Sequence, residues 1–307
     1  MTDAVLRACL RVAADRFFDH LQQALPRAAP LLLRYLKRVP AGPQTVDICL
    51  AVRSFPAFSM PAWLLSEARQ HDETGFLTDL GYSTLNGYYG VRLIDNIADG
   101  DGPPELKGLL PAAGYFFSEF EAPYRAYFGA EHPFWPVFRG ALAEQADAAA
   151  SEAHLGDITR ALFLAVSAHK FAAAKGPLAA AAYRVGREAE LGEWFGFIDL
   201  LGAHAQLIND LFDWHHDALT GTASFVQSEY HRQCPDGPEL ARWMVAGGFD
   251  WAVSELETLA DALQRRAAGL GPDCIAWLMR RQVALTDDLA HGRAGLRLVE
   301  ILAKERA

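Results

Sequence analysis

Cysteine is scarce in this chain of 307 residues, and its four copies, Cys9, Cys49, Cys234 and Cys274, lie far apart with no CxxC pair. Neither a zinc site nor a dense disulfide framework fits that spacing, and a reducing cytoplasm suits it. Charge is sparse as well, at 21% of residues, and basic side chains are outnumbered 28 to 38, leaving a net charge of −10. This argues against a general nucleic-acid binder, whose phosphate contacts require a basic surface. An anionic partner would have to be held through a metal or by a few well-placed cations. No run reaches the roughly 18 to 20 uncharged apolar residues that span a membrane, because Asp199 and His204 interrupt the most apolar window. The N-terminal stretch places Asp3, Arg7, Arg11, Asp15 and Arg16 among Leu, Val and Ala. It lacks the charge-free core of a signal peptide, so a cytoplasmic protein without membrane insertion is expected.

Extended alternating runs of β-branched residues are also scarce. The apolar half of the composition (51%) recurs mostly at three- and four-residue spacing, which predicts helices nearly throughout. Breakers at Pro40 to Pro43, Pro56 to Pro61, Gly100 to Pro104, Gly129 to Pro136, Gly176 to Pro177, Thr220 to Thr222, Pro235 to Gly237 and Gly269 to Pro272 divide them. Long helices are predicted from Leu77 to Ala98 and from Glu190 to Leu219, well beyond the mean of about 11 to 12 residues, as suits a central pair in a bundle. The alanine-rich stretch Ala161 to Tyr183 holds Lys170 and Lys175 and reads as a closely packed inner helix broken at Gly176-Pro177. There is no repeat, low-complexity tract or long linker. The expected architecture is all-α, a single large antiparallel helical bundle over residues 1–307.

Two acidic constellations stand out. In Asp95-Asn-Ile-Ala-Asp99 the two carboxylates are four residues apart and share one helix face, where like charges repel unless a cation compensates them. In Gln206-Leu-Ile-Asn209-Asp210-Leu-Phe-Asp213-Trp-His-His216-Asp217, residues Asn209, Asp213 and Asp217 form a stripe with only about 40° of drift per step, and Gln206 continues it upward. The helix is otherwise apolar. Oxygen-only ligands of this kind suit Mg²⁺ or Mn²⁺, and the flanking histidines complete no zinc pattern. A solvated acidic helix end is the plain alternative for each. Together, two carboxylate stripes on otherwise uncharged helices point to divalent cations that bind a diphosphate.

The stretch from about Leu77 to Ser228 resembles the class I isoprenoid synthase superfamily. Asp95-Asn-Ile-Ala-Asp99 resembles its first aspartate-rich motif, DDxxD and variants. Asn209 to Asp217 resembles its second metal motif: it follows the terpene synthase pattern ND-x-x-S/T-x-x-K/R-D/E, with Asp213 in place of the hydroxyl residue and His216 in place of the basic one. It equally follows the prenyl diphosphate synthase pattern Q-x-x-D-D-x-x-D, with Gln206 intact and Asn209 in place of the first Asp. The resemblance implies a helical bundle around a central apolar cavity, three Mg²⁺ (or Mn²⁺), and a prenyl diphosphate substrate. It implies that Asp95 and Asp99 ligate two metals and Asn209, Asp213 and Asp217 the third. Lys170 resembles a lysine that prenyl synthases carry on the corresponding helix and is the leading cation for the diphosphate, with Gln206 and His216 beside the same anion. Arg92, Arg160 and Lys175 are weaker candidates.

The allyl cation left after ionisation needs shielding from water and aromatic faces to stabilise it. Leu85, Tyr88, Tyr89, Phe195, Ile198 and Gly202, one to two turns before the motifs, are expected to line that cavity. A chain-elongating synthase also binds a second diphosphate, but Leu36-Lys37-Arg38-Val39-Pro40 is a faint echo of that family's basic segment and no Arg pair follows the first motif. Many bacterial cyclases carry a late Arg-Tyr pair, whereas this chain has no Tyr after Tyr230 and only Arg280, Arg281, Arg293 and Arg297 as late basic candidates. A divergent terpene synthase acting on farnesyl or geranylgeranyl diphosphate is the expectation. A trans-prenyl diphosphate synthase or related prenyltransferase and a non-catalytic helical binding protein are the alternatives, and a homodimer is compatible with each.

Overall fold

The computed structural model describes residues 3–36, 45–67, 73–98, 100, 103–152 and 154–305. Every regular element among them is helical, as the apolar spacing predicts. In chain order the α-helices are α1 (Asp3–Ala24), α2 (Ala29–Leu36), α3 (Thr45–Cys49), α4 (Ser59–Glu67), α5 (Thr74–Ala98), α6 (Ala112–Glu121) and α7 (Phe134–Glu152). They continue with α8 (Arg160–His169), α9 (Lys175–Val185), α10 (Leu191–Thr220), α11 (Phe225–Gln233), α12 (Leu240–Trp243), α13 (Phe249–Ala267) and α14 (Pro272–Glu305). The two long helices fall within a few residues of their expected limits. No helix among the described residues is long and apolar enough to cross a membrane.

The chain divides into two compact units, each drawn from two stretches: Met1–Leu142 with Ala173–Leu191, and Ala143–Ala172 with Gly192–Ala307. In the first unit α5 is the spine and packs against α1 and α6. Leu77, Leu80, Tyr82, Leu85, Tyr89 and Leu93 are buried along it. Tyr89 stacks on Phe17 of α1 at 5.1 Å between centroids. The approach of α6 requires Gly87, where an added Cβ would lie 3.0 Å from the Phe120 ring.

The alanine-rich stretch departs from expectation. The break falls between His169 and Lys175, and Gly176-Pro177 sits inside the first turn of α9. A proline there costs nothing in hydrogen bonding, since the first N–H groups of a helix have no intrahelical acceptor. Gly176 is needed for contact, because a Cβ would lie 2.8 Å from the Phe138 ring. Lys170 consequently stands at the C-cap of α8.

In the second unit α10 buries Ala203, Leu207 and Leu211 against Phe225 and Val226 of α11, Trp243, and Phe249, Ala252 and Leu256 of α13. Each large side chain contributes about 1.5–3 kcal/mol by leaving water. Phe163 of α8 stacks on Phe225 at 4.7 Å, which ties α8 to the start of α11. At Gly202 the end of α8 comes close to α10: an added Cβ would lie 3.0 Å from the Ser167 carbonyl oxygen and 3.1 Å from the Phe171 ring. That close packing carries Lys170 to the polar face of α10.

Candidate functional site

Gln206, Asp210, Asp213 and Asp217 recur at i, i+4, i+7 and i+11, within a sector of about 60° on α10. The helix stops at Gly221, whose left-handed backbone (φ 76°) only glycine adopts without strain. The Thr222 N–H then donates to the Asp217 carbonyl at 3.0 Å, closing a Schellman turn. Ser224 begins α11, its hydroxyl accepting the Gln227 N–H at 3.3 Å. The sequence Ser224-x-x-Gln227 is a local start signal of the capping-box type.

Asp210 is buried (5% exposed). One of its oxygens accepts from Gln206 Nε2 at 2.8 Å and the other from the Phe225 N–H at 2.9 Å, the orphan donor at the start of α11. Gln206 Oε1 in turn accepts from Lys170 Nζ at 2.9 Å, and the same ammonium donates to Glu152 Oε1 at 2.7 Å. The chain Glu152–Lys170–Gln206–Asp210–Phe225 therefore joins α7, the end of α8, α10 and α11. Burial pushes the Asp210 carboxyl up to about 6, with Glu152 adding to the rise, while the Phe225 N–H, the Gln206 amide and the Lys170 charge oppose it.

Asn209, Asp213 and His216 are exposed, and Asp217 is half-buried. The Asp217 carboxyl is pushed up to about 6, first by burial, then by Asp210 and Asp213, with a smaller part from Glu152; His216 opposes. Asp217 also stands in the last turn of α10, where the negative end of the helix dipole disfavours a carboxylate. The clustered acids, taken without a ligand, thus oppose one another.

In the first unit, Asp95 stands in the last turn of α5, again at a helix C-terminus. Its carboxylate accepts from Arg92 Nη1 at 3.0 Å, and both side chains are substantially exposed. Asp99 lies outside the described residues, as do Lys37 to Pro40. Tyr88 is 41% exposed, whereas Tyr89 and Leu85 are buried. On α10, Phe195 is half-buried and Ile198 buried. Arg160 pairs with Glu255 at 2.8 Å. Lys175 is buried in the first unit.

Two side chains of the polar chain, Asp210 and Glu152, were not singled out by sequence. Asp210 lies inside the second motif, where the i, i+4, i+8 reading of Asn209 passed over it; its position beside Leu207 and Leu211 on the helical wheel is the signal that identifies it as inward-facing. Glu152 carries no local signal, since its contact with Lys170 arises only from folding.

The donor chemistry of the α10 stripe fits a hard cation. Asp213 and Asp217 supply carboxylates and Asn209 an amide oxygen, the set that Mg²⁺ takes before completing its shell with water and phosphate oxygens. Among the described residues, no three His, Cys, Asp or Glu side chains gather closely enough to hold an ion by themselves. An ion at this stripe would need further oxygen ligands from outside the chain. No protein-family model matches the chain, and no curated protein sequence matches it.

Proposed function

We propose that the chain is a Mg²⁺-dependent class I terpene synthase, which ionises farnesyl or geranylgeranyl diphosphate and cyclises the resulting carbocation inside an apolar cavity. The observation that carries this reading is Asp217, half-buried beside Asp210 and Asp213 in the last turn of α10. Helix dipole, burial and neighbouring carboxylates all oppose its charge. An acid kept at such a position is explained by a cation that it serves.

In this reading Asn209, Asp213 and Asp217 hold Mg²⁺, and Asp95 and Asp99 have the same assignment in the first unit. When bound, the metal supplies Lewis-acid stabilisation of the departing diphosphate. Lys170 adds charge-assisted hydrogen bonds to the diphosphate oxygens, and Gln206, fixed by Asp210, sets the direction of its ammonium. His216 is a secondary cation for the same anion, and Arg92 has that assignment beside Asp95 in the first unit. Phe195 in the second unit and Tyr88 in the first each present an aromatic face, a group that stabilises positive charge on carbon without attacking it.

The Lys170–Gln206 bond favours a second reading, since Gln206 belongs to the prenyl diphosphate synthase form of the motif and Lys170 resembles the lysine of those enzymes. Incubation of the purified chain with Mg²⁺ and geranyl, farnesyl or geranylgeranyl diphosphate separates the two. Release of diphosphate and a cyclic hydrocarbon without isopentenyl diphosphate is the expected result. Strict dependence on isopentenyl diphosphate selects the chain-elongating reading, and no release under either condition rejects both.

A further inference from the structure

We infer that Glu152 is a counter-ion latch: it holds Lys170 in the ligand-free protein and releases it to the diphosphate, so that Glu152 sets how tightly the anion binds. The inference rests on the diphosphate reading above. Its basis is the unlike character of the two acceptors that Lys170 engages.

Gln206 is a fixed acceptor. Its amide nitrogen is committed to Asp210, whose other oxygen is committed to the Phe225 N–H, so rotating Gln206 would break a buried chain of bonds. Glu152 is the last residue of α7, and its side chain is 37% exposed against 21% for Lys170. Water can rehydrate the Glu152 carboxylate as soon as the pair opens, which makes an ion pair of this exposure weak. The position itself gives the carboxylate little support, since the C-terminal dipole of α7 disfavours it. Lys170 Nζ, 2.7 Å away, offsets that charge.

An ammonium has three donors, and two are engaged here. A diphosphate carries more negative charge than Glu152 and presents several acceptor oxygens. It therefore competes successfully for the donor that Glu152 holds while leaving the Gln206 bond in place. Glu152 acts through Lys170 and is a positioning residue, distinct from groups that touch substrate. Its carboxylate lowers anion affinity by occupying the cation.

The test is calorimetric titration of the full chain with inorganic diphosphate in Mg²⁺. Glu152→Gln should bind about three- to tenfold more tightly than wild type, and with a prenyl diphosphate it should lower KM while changing kcat little. Lys170→Met should weaken binding, and adding Glu152→Gln to Lys170→Met should restore none of it. Unchanged or weaker binding in Glu152→Gln, with wild-type binding intact, overturns the latch and leaves the diphosphate reading standing. An equal gain in the Lys170→Met background also overturns the latch, because the effect would then be plain repulsion between Glu152 and the anion. If no form binds diphosphate, the reading and the latch are both overturned. Thermal melting checks the fold of each variant, and Glu152→Ala replaces Glu152→Gln if the latter does not fold.

Discussion

The buried carboxylate of Asp210 accepts the backbone N–H of Phe225 at 2.9 Å, so an acid in the middle of α10 closes the start of α11. The same side chain holds Gln206, which in turn receives Lys170. Asp210→Asn is therefore predicted to be more damaging than its size suggests. Asn has one acceptor oxygen, and its amide must face either the Phe225 N–H or the Gln206 amide. Turning Gln206 over would answer the new amide but would point the Gln206 N–H groups at the Lys170 ammonium. A donor is left facing a donor in every arrangement, at a cost of about 1–3 kcal/mol. Urea unfolding of wild type and variant measures it, and equal midpoints would remove Asp210 from this role.

Asp217→Asn should separate stability from activity. Removing a negative charge from the last turn of α10 relieves the dipole and the repulsion from Asp210 and Asp213. A gain of about 0.3–1 kcal/mol is expected, or about 1–3 °C in Tm for a chain of this size. Diphosphate release in Mg²⁺ should be lost in the same variant. A variant that melts lower than wild type and keeps its turnover would contradict both halves of the argument.

His204 governs a different pH effect. It lies 2% exposed in the second unit, and neither ring nitrogen has a protein partner. Burial, with the Arg281 charge nearby, lowers its pKa from 6.5 to about 3. Between those values the unfolded chain binds a proton that the folded chain does not, so His204 withdraws stability as pH falls from about 6.5 toward 3, by up to about 1.4 kcal/mol per pH unit. Asp210 and Asp217 act in the opposite sense over about pH 4 to 6, since their raised carboxyls take up protons in the folded state. The net slope of the wild type mixes the two, and the comparison that isolates His204 is His204→Leu against wild type. Relative to its value at pH 7, the stability of the variant at pH 5 should exceed that of the wild type. Parallel stability curves for the two proteins would reject the assignment.

What the sequence made legible was local. The limits of α5 and α10 follow from apolar period and from Gly100 and Gly221, features that act within a few residues. The break before α9 was misplaced because Gly176-Pro177 reads as a stop, although a proline in the first turn is compatible with a helix start. Within the second motif, the residue spacing gave relative angles but left the inward direction open. The phase is set by Leu207, Leu211 and the packing of Phe225, which turn Asp210 inward and Asn209 to solvent. Glu152 and Lys170 are 18 residues apart, and their pairing depends on how α8 is carried against α10. No local pattern encodes that.

Gly202 is the residue that tests this last dependence. An added Cβ would lie 3.0 Å from the Ser167 carbonyl oxygen, 3.2 Å from that of Ala168 and 3.1 Å from the Phe171 ring. Backbone carbonyls cannot swing aside as a flexible side chain can, so Gly202→Ala must push the end of α8 away by a few tenths of an ångström. The expected cost is about 1–3 kcal/mol. Lys170 stands two residues beyond Ala168, so the same shift disturbs its bond to Gln206 and should weaken diphosphate binding several-fold in calorimetry. Gly192→Ala on the same helix is the control: nothing lies within 4 Å of its Cβ, and alanine there should be neutral or stabilising by up to about 1 kcal/mol. If Gly202→Ala matches Gly192→Ala in both stability and affinity, close packing at Gly202 does not position Lys170.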